Sequence, residues 1–152
     1  MDDVKLVFAD DHKGFRSSVT TFLSRERGIR VVAEAENGIE ALQLVKEYSP
    51  AILLLDMRMP QLDGLAVLQT MRAENIRVKV LAFSVYDEEE YVHGLYDHGG
   101  SGYLLKDESP QMLFSVLMRI AHGESGFYSA AIAKILRNWG HQFEDRLNSI
   151  HR

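Results

Sequence analysis

Ala51-Ile52-Leu53-Leu54-Leu55-Asp56-Met57-Arg58-Met59-Pro60-Gln61-Leu62-Asp63-Gly64 runs from an unbroken apolar stretch through a single carboxylate into a loop holding Pro60 and Gly64. A short apolar run without alternation predicts a strand covered on both faces, as parallel strands are. Asp56 stands just past its end. Three other apolar runs end in the same way. Val4–Ala9 meets Asp10-Asp11, Val78–Phe83 meets Ser84, and Tyr103–Leu105 meets Lys106. Polar groups that each follow a strand converge at one edge of a parallel sheet.

The intervening segments carry helical spacing. His12–Arg27 places Phe15, Val19, Phe22 and Leu23 on one face. Ile29–Ala35 reads as a second strand, after which Asn37 caps a helix with the face Ala41, Leu42, Val45 and Tyr48, stopped near Pro50. Leu65–Ala73 is a third helix and Arg77–Phe83 a fourth strand. Asp87–Asp97 is a fourth helix with Glu88, Glu89 and Glu90 in its first turn, where the helix dipole favours negative charge. Gly94 within it predicts the least stable of the helices. His98-Gly99-Gly100 breaks the chain before a fifth strand, Ser101–Leu105. Ser109 as cap and Pro110 at the first helical position open a fifth helix lined by Leu113, Val116, Leu117 and Ile120, and Gly123 ends it. Five strands alternating with five helices predict an α/β protein, a doubly wound parallel sheet with right-handed crossovers and helices on both faces.

Beyond this body, residues 1–123, lies a C-terminal extension, residues 124–152. Ser129 is expected to cap one more helix running through Trp139, with Tyr128, Ile132, Ile135, Leu136 and Trp139 as a core-facing stripe. His141–Arg152 has no clear period and reads as a linker.

Composition narrows the function. Apolar residues make up 46% of the 152, enough for a packed core. The absence of cysteine excludes disulfides and thiolate metal sites and fits a reducing compartment. The acidic start carries no signal peptide and no stretch long enough to span a membrane, so a cytoplasmic location is expected. Residues 1–126 hold 13 Lys/Arg against 20 Asp/Glu, whereas residues 127–152 hold 4 against 2. So acidic a body is unsuited to gripping a nucleic-acid backbone by itself. The histidines have no zinc spacing; His93 and His98 read as surface imidazoles. No glycine-rich phosphate loop of the nucleotide-binding type is present.

Asp10, Asp11 and Asp56 are hard oxygen donors of the kind that hold Mg²⁺, which takes one or two carboxylates directly and keeps several waters. Beside such an ion one carboxylate can act as a nucleophile toward a phosphoryl group and form an acyl phosphate. Asp56, alone at the end of its strand and facing the acidic pair, is best placed for this. Ser84 can donate to a phosphoryl oxygen, and Lys106 can pair with that oxygen or with Asp56.

Asp10-Asp11, the segment Asp56–Gly64, Ser84 and Gly102-Tyr103-Leu104-Leu105-Lys106 occur in the order and at the spacing of a known family. Over roughly residues 3–122 the chain resembles the receiver domain of bacterial two-component response regulators, which implies a flavodoxin-like, five-stranded parallel sheet of order 2-1-3-4-5. The resemblance implies Asp56 as phospho-acceptor, Asp11 as a direct Mg²⁺ ligand, Asp10 mostly through water, and the backbone carbonyl of Arg58 as a further ligand. It implies Ser84 and Lys106 as contacts of the phosphoryl group and Tyr103 as an aromatic switch residue. A sensor histidine kinase would be the donor, small acyl phosphates possible substitutes, and a homodimer the phosphorylated form.

The stretch His122-Gly123-Glu124 through Phe127-Tyr128-Ser129 resembles the receiver-to-effector connection of NarL/FixJ-type (LuxR-type) regulators, whose C-terminal helix-turn-helix domain binds DNA. The chain stops before such a domain, so a fragment of a transcription factor is expected, with a naturally short regulator as the alternative. The competing functions are a stand-alone phosphorelay or interaction module and an aspartyl-phosphate phosphatase. The phosphatase reading needs an Asp two residues past the nucleophile, where this chain has Arg58. Val85 is bulkier than the small residue common after the family's hydroxyl, and slower loss of the phosphoryl group is expected from it.

Overall fold

A computed structural model of the protein describes residues 2–151. Its elements are β1 (Val4–Ala9), α1 (Lys13–Ser24), β2 (Ile29–Ala35), α2 (Gly38–Tyr48), β3 (Ile52–Leu55), α3 (Gly64–Ala73) and β4 (Lys79–Ser84). They continue as α4 (Glu89–Asp97), β5 (Gly102–Leu105), α5 (Pro110–Ala121), β6 (Phe127–Tyr128), α6 (Ala130–Asn138) and α7 (Leu147–His151). All strand pairings are parallel, in the order β2-β1-β3-β4-β5-β6. The expected order 2-1-3-4-5 is present, and a sixth strand extends it.

Alternation along the strands builds two cores. Leu6, Phe8, Ile52, Leu54, Leu81, Phe83 and Leu104 pack with α1, α5 and α7 on one face. Val7, Ala9, Leu53, Leu55, Ala82 and Tyr103 pack with α2, α3, α4 and α6 on the other. All four residues of β3 are buried, which is why its sequence shows no polar alternation.

Local chemistry sets the helix ends. Asn37, Asp63 and Ser109 each accept a hydrogen bond from the backbone amide three residues on. Ser49 takes the left-handed conformation that closes α2 before Pro50. Gly64 starts α3 where a Cβ would lie 2.8 Å from the Met57 Cα, so the loop after Asp56 can fold tightly onto the sheet edge.

The C-terminal extension departs from expectation. The segment 141–152, read as a linker, includes α7, whose Leu147 is buried in the α1/α5 core; Arg152 lies outside the described residues. The stripe on α6 is core-facing through Ile132 and Leu136, but Trp139 is 59% exposed, because α6 ends at Asn138 and the chain turns away. Ser129 precedes α6 without capping it by its side chain. His93 is half-buried rather than a surface imidazole: its ring stands 4.1 Å from that of Trp139, and its Nδ1 lies 3.0 Å from His141 Nε2, across the joint between α4 and the segment after α6. Three Glu were expected in the first turn of the fourth helix; Glu88 is its cap position, and Glu89 and Glu90 follow it.

Candidate functional site

The strand order reverses direction between β1 and β3, and open parallel sheets form a crevice at the carboxyl ends of such strands. Asp10 follows β1 and is fully buried; Asp56 follows β3 and is 2% exposed. Backbone ladders hold both, Asp10 N–H donating to Ala35 O and Asp56 N–H to Ala9 O, each at 2.9 Å. Asp11 is exposed at the mouth. Carboxylate oxygens of Asp10, Asp11 and Asp56 all lie within 4.8 Å of one another.

Ser84 and Lys106 arrive from β4 and the end of β5. The Ser84 hydroxyl donates to Asp56 Oδ1 at 2.7 Å. Lys106 Nζ donates to Asp56 Oδ2 at 3.2 Å and lies 2.7 Å from Asp10 Oδ2. The Asp10 contact is a buried ion pair, with Lys106 as the cation facing Asp10 Oδ2. The Lys106 side chain is 6% exposed, its charge 4.5 Å from the centre of the Phe15 ring. Burial pushes the Asp56 carboxyl above the usual range; the Ser84 hydrogen bond and the Lys106 charge pull it back, and the neighbouring Asp10 adds to the rise.

A cleft of about 350 Å³ opens over these groups, with Asp11, Asp56, Arg58, Val85, Tyr86 and Lys106 among its walls. Val85 is 57% exposed there. The Arg58 guanidinium pairs with Glu88 at 2.8 Å and covers the Tyr86 ring at 4.1 Å, joining the loop after β3 to the start of α4. Tyr103, on β5, is fully buried; its hydroxyl donates to the Tyr86 carbonyl, and burial raises its pKa.

All the residues singled out in the sequence except Tyr103 gather in this crevice, and Tyr103 lies behind Ser84 against the Tyr86 loop. Sequence reading missed Arg16. Only 6% exposed, it donates to the Asp10 carbonyl and bonds Glu34 Oε1 through Nε at 2.8 Å, so it fixes the turn that carries the acidic pair. Its signal was positional: Arg16, Val19 and Leu23 fall at i, i+3 and i+7, a buried helix face.

A fold of this order with this set of polar groups at its reversal point is that of response regulator receiver domains. The sequence profile of that family, described as the response regulator receiver domain, matches residues 6–118, and the chain belongs to it. Among its relatives, the transcriptional regulatory protein DegU of Brevibacillus brevis is 32% identical over 136 residues, covering 90% of this chain and 58% of DegU. The probable transcriptional regulatory protein NarL of Mycobacterium tuberculosis is 36% identical over 122 residues, covering 80% of this chain and 56% of NarL. The signal receiver domain of the putative response regulator NarL from the same organism superposes with a TM-score of 0.76 at 35% identity, over 82% of this chain and 100% of that domain. The chain is thus a receiver domain of the NarL/DegU class of response regulators, spanning a little over half the length of the curated relatives it matches. Among the described residues, no helix is long and apolar enough to cross a membrane.

Proposed function

We propose that Asp56 is the phospho-acceptor of a signalling switch, charged by the phosphohistidine of a sensor histidine kinase. The observation that carries this reading is one buried carboxylate bonded to both a serine hydroxyl and a lysine ammonium, at 2.7 and 3.2 Å, with two more carboxylates beside it. An Asp56 oxygen attacks phosphorus as the N–P bond breaks, and the leaving imidazole nitrogen keeps the bonding pair. Lys106 and Ser84 move their contacts from the carboxylate to the phosphoryl oxygens. Attack by water on phosphorus later returns the carboxylate and inorganic phosphate. The domain is no enzyme toward a separate substrate; it turns over only its own phosphoryl group.

Three carboxylates this close together, Asp10 and Asp56 buried and Asp11 exposed at the mouth, are hard oxygen donors that fit Mg²⁺. Asp10, Asp11, Asp56 and the Arg58 carbonyl would hold it, and when bound it supplies charge neutralisation between the carboxylates and the incoming phosphoryl oxygens.

Tyr103 is the switch residue in this reading. Ser84 drawn toward a phosphoryl group changes the loop through Tyr86, whose carbonyl Tyr103 holds, and α4 begins three residues after Tyr86. The repacking biases the α4–β5–α5 side toward a homodimer. Residues 1–123 serve as the phospho-receiver, and 124–152 lead to a helix-turn-helix effector that binds DNA, in a cytoplasmic transcription regulator. Intact mass after treatment with Mg²⁺ and acetyl phosphate tests the central step. One phosphoryl group is expected on the parent and none on Asp56→Asn; an unmodified parent, or a modified variant, overturns it.

A further inference from the structure

We propose that Ser129 is a positioning residue for Lys106, through which the C-terminal extension controls phosphoryl chemistry at Asp56; this rests on the reading of Asp56 as acceptor. Ser129 is 3% exposed. At the entrance of a helix such a hydroxyl ordinarily bonds an amide of the first turn, yet here it does not. Its Oγ accepts instead from Leu105 N–H at 2.9 Å, and its proton goes to Glu108 Oε2.

The reason lies in the sheet. Alternate amides of a parallel strand turn to opposite neighbours. Lys106 N–H donates to Ser84 O on the β4 side at 3.0 Å, so Leu105 N–H faces β6. The ladder on that side runs through Gly126 N–H to Ser101 O and Ser129 N–H to Tyr103 O. The next rung needs the Ser129 carbonyl, but α6 has begun and Ala133 N–H occupies that oxygen. The hydroxyl fills the missing rung. An amide left open in this partly buried place would be costly, so the bond is under pressure to persist.

The consequence falls on Lys106. Its amide is tied to β4, the amide before it to Ser129, and Glu108, two residues on, to the same hydroxyl. The loop bearing Lys106 is therefore clamped from both sides, and one side of the clamp belongs to the extension. Releasing that side lets the ammonium drift from Asp56 and Asp10. Conversely, whatever moves α6 moves Ser129 and with it the aim of Lys106. Receiver body and extension are thus joined by one hydroxyl as well as by packing.

The test is the rate of phosphoryl gain from acetyl phosphate in about 10 mM Mg²⁺, followed by intact mass. Misplacement of a reacting group by a fraction of an ångström costs about 10-fold, so Ser129→Ala is expected to be about 10-fold slower while Ser129→Thr, which keeps the hydroxyl, stays near the parent. In a Lys106→Met background, Ser129→Ala is expected to change the rate by less than about 2-fold, since a residue acting through Lys106 has nothing left to act on. An equal fall in that background, or no fall with Lys106 present, overturns the proposal. Glu108→Ala, which leaves the core intact, should slow the reaction in the same direction and likewise lose its effect without Lys106. Faster amide exchange at Leu105 in Ser129→Ala is expected before any phosphorylation; unchanged exchange overturns the clamp. A parent that gains no phosphoryl group overturns the acceptor reading instead, and the Leu105 exchange then still decides whether Ser129 holds the strand end.

Discussion

Replacing Lys106 by Met keeps most of the side-chain volume over Phe15 and removes the charge between two buried carboxylates. The ammonium lies 2.7 Å from Asp10 Oδ2 and 3.2 Å from Asp56 Oδ2. At an effective dielectric of about 20 these contacts are worth roughly 6 and 5 kcal/mol before desolvation. The ammonium's own burial cancels several kcal/mol of that sum. What the variant keeps is the acidic cluster: charges within 4.8 Å of one another repel by about 3.5 kcal/mol or more at the same dielectric. Breaking a buried pair from one side costs about 3–5 kcal/mol. The lower end applies here, because Asp56 keeps the Ser84 bond, Asp10 keeps the His12 amide, and one carboxyl can take up a proton.

The expected loss in Lys106→Met is therefore about 3 kcal/mol near pH 8 without divalent metal. The pH dependence has a definite sign. The folded-state pKa of Asp56 is already raised by burial and rises further once the Lys106 charge is gone. A carboxyl raised above its unfolded value binds more protons in the folded state, so stability falls as pH rises from the unfolded value of about 3.9 through the folded one. The deficit should shrink toward about pH 5, and about 10 mM Mg²⁺ should restore much of it near pH 8 by replacing the lost cation. Urea unfolding followed by circular dichroism, on parent and variant at both pH values with and without Mg²⁺, measures this. A loss below about 1 kcal/mol, or one indifferent to both pH and Mg²⁺, refutes the electrostatic account.

Val85→Ala should widen the mouth of the cleft beside Asp56 and speed hydrolysis of the phosphoryl group; phosphate release at an unchanged or slower rate counts against a shielding role for Val85. Gly102→Ala puts a Cβ 2.2 Å from the Phe127 carbonyl oxygen, so β6 must leave β5; a cost of about 1–3 kcal/mol and faster exchange of the Leu105 amide are expected by urea titration and hydrogen exchange. Leu117→Ala empties a fully buried position on α5 and should cost about 2–5 kcal/mol in the same titration, with the phosphorylation rate at low temperature kept.

Much of the site could be read because its parts announce themselves at strand ends. Asp10, Asp56, Ser84 and Lys106 each follow an apolar run, and a parallel sheet brings such ends together wherever the runs lie in the chain. Ser109-Pro110 and Asn37 were legible for a different reason: a cap bonds an amide three residues on, so its partner is local. Ser129 looks the same in sequence and behaves otherwise, because Leu105, 24 residues earlier, competes for its hydroxyl. His93 was misplaced for a like reason: its neighbours Trp139 and His141 lie on a segment whose path no local pattern reports.

The alternation of strands and helices, the two-faced burial of β3 and the set of polar groups at the strand ends are written in the order of the residues, since apolar periodicity and local hydrogen bonding encode them. Three features emerge only from the folded chain: residues 127–128 add a strand, α6 and α7 lie on opposite faces of the sheet, and Arg16 and Ser129 hold the two loops carrying the acidic pair and Lys106. Arg16 reaches Glu34 and Ser129 reaches Leu105, 18 and 24 residues away, and which amide or carbonyl is left for a side chain to satisfy is fixed only once the whole sheet has closed around it.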